Sequence, residues 1–282
     1  MLYLSRFTLT IRTFFIKSTS LSSLETALNQ ILRKLHEWLE GNHLKLNITK
    51  TKCMLFRPHN KSLSRELNIC FDGIVRVSEI KSLGVVFHQH LSWTSHILNV
   101  RREISQAAGI LCRVKHLFPV KVRAMVYYAL IYSRLYYCIL IWGATTSGNL
   151  QSLIRIQKRA LRAIACLAFS ESTSELANHL NLLNVKQIFE MKLLTMIFLA
   201  TRNGTDELFR MYSLEHSDTP YSLRSRPPLT LPRCRTNYGR QTTKFLVAAY
   251  FNKFSTTILR TYSISQFKKE IKRLLQNVAE PI

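Results

Sequence analysis

Residues 124–143 read AMVYYALIYSRLYYCILIWG, and no stable fold of this chain leaves them in water. An apolar run of this length is enough to cross a bilayer as a helix. Two features oppose a span. Arg134 stands near the centre, at a cost of about 2.5–3.5 kcal/mol on insertion scales. The five tyrosines of the run, Tyr127, Tyr128, Tyr132, Tyr136 and Tyr137, cluster centrally instead of at the ends, where an interface would hold them. The run therefore predicts buried helix within a helical domain.

The surface around such a core is strongly basic. The 282 residues carry 40 Lys and Arg against 16 Asp and Glu, a net charge of +24. That balance fits a polyanionic partner, of which nucleic acid is the commonest. The charge is also segregated. Between Glu103 and Glu171 there is no acid but nine Lys or Arg; between Asp218 and Glu270 there is no acid but ten. A surface tuned only for solubility intermixes signs, whereas acid-free faces suit a phosphate backbone.

Cofactor chemistry finds little footing. The six cysteines, Cys53, Cys70, Cys112, Cys138, Cys166 and Cys234, are never closer than 17 positions, so no zinc spacing exists. They read as reduced, small core residues. His88, His90 and His96 lie near one another, but no Cys or acid joins them as a ligand set. No metal site and no catalytic residue is assigned.

Local patterning predicts the following order. Residues 1–20 are basic, hydroxylated and acid-free, a composition that suits a transit peptide or, by alternation at Phe7, Leu9 and Ile11, a strand. A helix over 22–40 opens with Ser22 and Glu25 as a capping box and carries Leu24, Leu28, Ile31, Leu35 and Leu39 on one face. Short strands are expected at 53–57, 67–71, 74–78 and 81–87, with Asp72-Gly73 as a type I′ hairpin turn. From 94 the chain turns helical, started by Thr94 or Ser95, with Ile97, Val100, Ile104, Ala108, Leu111 and Val114 inward. Pro119 suits the first position of the next helix. On the helix at 150–164, Arg155, Lys158, Arg159 and Arg162 fall three or four apart on one face, with Leu150, Leu153, Ile154, Leu161 and Ile164 behind. Two helices follow over 173–201. The texture changes after Asp218 to a proline-limited stretch with Arg233, Arg235 and Arg240, and an amphipathic helix at 264–275 closes the chain.

Several blocks of residues carry a resemblance. Trp38, Asn42, Leu44, Leu46, Asn47, Lys50 and Thr51 fit the pattern W-x3-N-x-L-x-LN-x2-KT. Leu83, Gly84, Val85, Leu91, Ser92 and Trp93 fit LGV-x5-LSW. Tyr128, Leu130, Ile131, Tyr132, Leu135, Tyr137, Cys138, Trp142 and Gly143 fit Y-x-LIY-x2-L-x-YC-x3-WG. Leu153, Gln157, Lys158, Arg159, Ala160 and Arg162 follow in order, and 231–239 fits LPR-x-RTN-x-G. Over roughly residues 13–275 the chain resembles the reverse transcriptases of non-LTR retrotransposons, from the end of the palm through the thumb to a basic tail. It departs from them at three places. His88 stands where an acid follows LGV, and residues 247–252 replace most of a Gly-Pro-Lys-x-Trp-Asn segment. Thr10 and Ile11 occupy the positions of the family's paired aspartates.

The resemblance implies an α+β, mainly α fold: a small antiparallel β remnant of a polymerase palm, followed by a helical thumb-like domain. Three segments are expected: 1–92 as palm remnant, 93–204 as thumb-like domain and 205–282 as basic C-terminal region. It places Lys50 near the triphosphate of an incoming nucleotide. It makes Arg155, Lys158, Arg159 and Arg162, with Arg233, Arg235 and Arg240, the contacts to RNA or to RNA–DNA or DNA duplex. Intact family members copy RNA into DNA with two Mg²⁺ ions held by converging carboxylates. Without those aspartates the expectation is a truncated or decayed reverse transcriptase that binds nucleic acid but does not polymerise. It needs no cofactor of its own, has no membrane partner, and is intracellular, nuclear or cytoplasmic. Two other readings stand beside it: a non-catalytic basic RNA- or DNA-binding module, and a mitochondrial or membrane protein spanning lipid at 124–143.

Overall fold

The computed structural model describes residues 13–60, 65, 67–71, 73–168, 171–173, 177, 178, 180, 182–202, 210, 212, 214, 229–260 and 263–277. The strand suggested at 7–11, and the aspartate positions 10 and 11, lie outside them. The fold is mainly helical with small sheets. It divides into two units, Met1–Ser92 and Trp93–Ile282.

In the first unit, α1 (Leu21–Gly41) begins one residue before the helix expected over 22–40. Ser20 is the N-cap: its hydroxyl accepts from the Ser23 amide at 3.1 Å, and Asn42 closes the far end. The expected box between Ser22 and Glu25 does not form. Glu25 is buried instead, receiving Arg65 on both carboxylate oxygens and the Asn68 amide at 2.8 Å. Asn29, one turn on, donates to the Asn68 carbonyl at 3.1 Å and accepts from the Cys70 amide at 2.9 Å. His36 meets the Phe71 ring edge-on at 5.2 Å. The strand expected at 67–71 is absent for this reason: its backbone groups are satisfied by α1 side chains, not by a ladder.

The sheets differ from expectation in register and direction. β1 (Lys52–Cys53) pairs in parallel with β2 (Val75–Arg76), where only antiparallel pairing was expected. The hairpin lies eleven residues beyond Asp72-Gly73. β3 (Glu79–Ser82) and β4 (Val85–His88) pair antiparallel around Leu83-Gly84, so the single strand expected over 81–87 is folded in half. Both turn residues have positive φ, 45° at Leu83 and 80° at Gly84, the signature of a type I′ turn whose twist matches the flanking strands. Asp72 lies outside the described residues.

The second unit is built on one core. α2 (Thr94–Val114) buries Ile97, Val100, Ile104, Ala108 and Leu111, as its period predicts. Its N-cap is Trp93 rather than Thr94 or Ser95. The 124–143 run is not one rod. α3 (Val120–Tyr127), with Pro119 at its N-cap, passes into a π-helical turn at Tyr128–Tyr132, then α4 (Ser133–Tyr136). Cys138 breaks the chain with φ 49° before α5 (Ile139–Trp142). Arg134 escapes burial by pairing with Glu103 at 2.9 Å. Among the described residues no helix is long and apolar enough to cross a membrane, which removes the spanning reading of 124–143.

α6 (Ser147–Ala165) and α7 (Val185–Arg202) complete the middle of the core. α8 (Asn237–Arg240), α9 (Thr243–Arg260) and α10 (Ile264–Asn277) follow. Phe267, Ile271 and Leu275 of α10 are buried, with Phe267 stacked on Phe198 of α7 at 4.3 Å. Helices from the expected third segment thus share the core of the second unit. Gly143 is required by packing: a Cβ there would lie 2.5 Å from both the Ile139 carbonyl oxygen and the Phe189 ring.

Candidate nucleic-acid interface

The amphipathic period of α6 decides which of its side chains meet solvent. Leu153, Ile154, Gln157, Ala160, Leu161, Ala163 and Ile164 are buried. Arg155 and Arg159 are exposed, and Lys158 and Arg162 half-buried beside them. Burial, and then the neighbouring Arg162 charge, hold the Lys158 ammonium below the usual lysine range. The Arg162 guanidinium donates to the Glu171 carbonyl at 3.2 Å. Glu171 ends the acid-free stretch, and its carboxylate accepts from the Ala168 amide at 3.0 Å. Among the described residues, Arg155, Lys158 and Arg159 make no ion pair. Like charges three and four apart on a helix destabilise it by about 0.2–0.5 kcal/mol per pair, a cost that a row of phosphates would relieve.

The row has a rigid back. α6 lies along α2 and against α3 and α7. Gln157, buried among them, donates to the Tyr127 hydroxyl at 2.9 Å and to the Leu183 carbonyl at 3.2 Å, and accepts from the Val185 amide at 2.9 Å. Burial pushes the Tyr127 phenol up, beyond its ordinary range. At the other end, Arg123 is 7% exposed and caps α6, donating to the Ala163 carbonyl at 3.1 Å and to Cys166 Sγ at 2.6 Å. A cation there complements the negative end of the helix dipole. Cys166 itself turns the chain with φ 58°, returning its amide to the Arg162 carbonyl. Sequence patterning missed both Gln157 and Arg123 as fixed polar anchors. Their only signal was a polar residue at an inward helical position.

The other expected residues are placed separately. Arg233, Arg235 and Arg240 are all exposed on the 231–240 segment. That segment has no regular element over 231–235 and ends in α8, capped by Thr236. Its start is clamped to α9: the Asn252 amide exchanges hydrogen bonds with the backbone of Leu229 at 2.9 and 2.8 Å. Lys50 belongs to the first unit. It closes a 3-10 turn, Ile48–Lys50, whose N-cap Asn47 accepts from the Lys50 amide at 3.1 Å and from the Thr49 hydroxyl at 2.7 Å. The Lys50 side chain is exposed.

The histidines do not gather as their sequence proximity invites. His96 is buried in the second unit, edge-on to Trp142 at 5.7 Å. His90 instead neighbours His88 and His59, whose ring centroids lie 5.2 and 4.9 Å from its own. His88 Nδ1 accepts the His90 amide at 3.2 Å, and His90 Nδ1 bonds to the Arg57 carbonyl at 2.9 Å. A neutral His88 then carries its proton on Nε2 and offers no second lone pair. Among the described residues no group of three His, Cys, Asp or Glu could hold a metal ion. Comparison with protein-family models, with curated proteins and with solved structures gives no match.

Proposed function

We propose that this chain is a nucleic-acid-binding protein of non-LTR reverse-transcriptase descent, which grips RNA or RNA–DNA or DNA duplex and does not polymerise. The observation that carries the proposal is the row Arg155, Lys158, Arg159 and Arg162, set on α6 with its back fixed by Gln157. The acid-free sequence on either side of the row and the net charge of +24 support the same partner. Binding of this kind is electrostatic and tolerant of sequence. Arg233, Arg235 and Arg240 would extend the contact along the backbone. Lys50 is a residual nucleotide-site lysine by resemblance.

Polymerisation would need carboxylates to hold two metal ions, and the resembling positions are Thr10 and Ile11. The purified chain is expected to bind duplex in a gel-shift or anisotropy assay. It is expected to extend no primer on an RNA template with Mg²⁺ or Mn²⁺. Incorporation above a no-enzyme blank would contradict the second half of the proposal, and absence of duplex binding at low salt would contradict the first.

A further inference from the structure

The tyrosines of the 124–143 run fall into two sets. Tyr127 is fully buried against Gln157. Tyr128, Tyr132 and Tyr136 follow one another at four-residue spacing on the outer side, where Tyr128 and Tyr136 keep 42% and 40% exposure. The ring centroids of Tyr128 and Tyr132 are 5.3 Å apart at an interplanar angle of 61°. Those of Tyr132 and Tyr136 are 5.7 Å apart at 20°. Lys192 of α7 donates to the Tyr136 hydroxyl at 2.7 Å and lies 4.0 Å from its ring centroid. At the other end, helical spacing continues the row through exposed Met125 and exposed Lys121.

We infer that Tyr128, Tyr132 and Tyr136 form a stacking platform for the unpaired bases of a single-stranded nucleic acid, with Lys192 and Lys121 holding its phosphates. Aromatic rings bind bases through faces that every base possesses, so such a platform tolerates any sequence. Charge selects the occupant: a lysine stands at each end of the row, and no acid occurs from 104 to 170. Access selects the strand type. In a duplex each base face is covered by its stacked neighbours, whereas an unpaired strand can turn a base face onto an exposed ring. The inference rests on the nucleic-acid reading above for its polyanion, and on the tyrosines alone for the unpaired strand.

The test is fluorescence anisotropy with a labelled oligo(dT) strand and a mixed-sequence duplex of equal length, on the full chain. The double variant Tyr128→Leu/Tyr136→Leu is expected to lose at least about five-fold in single-strand affinity, the low end for one base–aromatic stack, and to keep its duplex affinity. Tyr128→Phe/Tyr136→Phe is expected to keep both. Unchanged single-strand affinity in the Leu variant, or an equal loss on both probes, overturns the platform. Wild type that binds duplex but not oligo(dT) overturns the platform and leaves the α6 reading intact; the converse overturns the α6 reading alone. Loss of binding to a proline-rich peptide, with oligo(dT) binding unaffected, assigns the row to protein and also overturns it. Photocrosslinking of bromodeoxyuridine-substituted strand to wild-type protein gives a readout that needs no variant. Adducts are expected on Tyr128, Tyr132 or Tyr136, and adducts confined to other segments overturn the inference.

Discussion

Gln157 and Glu25 each satisfy several buried groups at once, and each was assigned another place by its sequence context. Gln157 serves three partners: the Tyr127 hydroxyl, the Leu183 carbonyl and the Val185 amide. Gln157→Leu keeps the volume but strands those groups. An unsatisfied buried polar group costs about 1–3 kcal/mol, so urea unfolding should show a loss of about 3 kcal/mol. Glu25 is the partner of Arg65 and of the Asn68 amide. The Arg65 hydrogen bonds first, then the Asn68 amide, hold its carboxyl below the usual glutamate range. The unfolded carboxyl binds its proton more readily. The resulting stability is therefore complete above the unfolded glutamate value and is lost as pH falls through the lower, folded value. Trp38, on the same helix, reports it: its fluorescence transition should move with acidification in wild type and become insensitive over that range in Glu25→Gln. A wild-type transition that does not move would contradict the pairing. Neither role was legible in the sequence, because the partners lie about 40 and 30 positions away and no periodic signal links them.

Long elements with a strong period were legible, and short ones were not. α2, α6 and α10 bury the residues that their spacing marks, including Ile104 and Leu111, Leu153 and Ile164, Phe267 and Ile271. Packing of an apolar face supplies most of a helix's stability, and that face is written in one segment. Strands depend on partners elsewhere. The apolar residues at 67–71 looked like a strand, but Asn29 and Glu25 take its backbone bonds. Asp72-Gly73 carries a type I′ signal that Leu83-Gly84 lacks, because Leu is a poor residue at positive φ. At 45° Leu83 bears a left-handed conformation that costs a non-glycine residue roughly 1–2 kcal/mol. Its side chain is 73% exposed, so Leu83→Asn should relieve the strain without opening a cavity. Thermal or urea melts should show the variant more stable by about 1 kcal/mol; a less stable variant would contradict the type I′ turn. The basic face of α6 was legible for the same reason as its apolar face, whereas the π turn and the Cys138 break within 124–143 left no mark in the hydropathy.

At the scale of the molecule, two units differ in how they are held. The second buries a continuous apolar core from Ile97 to Leu275. Among the described residues, the first buries only Leu32, Val85 and Val86 as apolar side chains and relies on polar tethers to α1. The charge asymmetry belongs to the whole chain, and its consequence is measured by salt. A protein that neutralises phosphates releases counterions, so its affinity falls with salt along a slope of about 0.9 per contact on duplex DNA. The central claim is that α6 makes such contacts. The direct test is a salt titration of duplex affinity for wild type and for the variant with Arg155, Lys158, Arg159 and Arg162 changed to Gln. Gln keeps helix propensity close to that of Arg and Lys, and relief of like charges three and four apart offsets loss of the Arg162 hydrogen bond to the Glu171 carbonyl, so the melting temperature should change little. The slope should fall by about 0.9 for each phosphate contact removed, hence by roughly 2 if only the exposed pair Arg155 and Arg159 reach phosphates. Weakening should be alike for all duplex sequences. An unchanged slope in a variant that melts like wild type would show that this face does not touch nucleic acid.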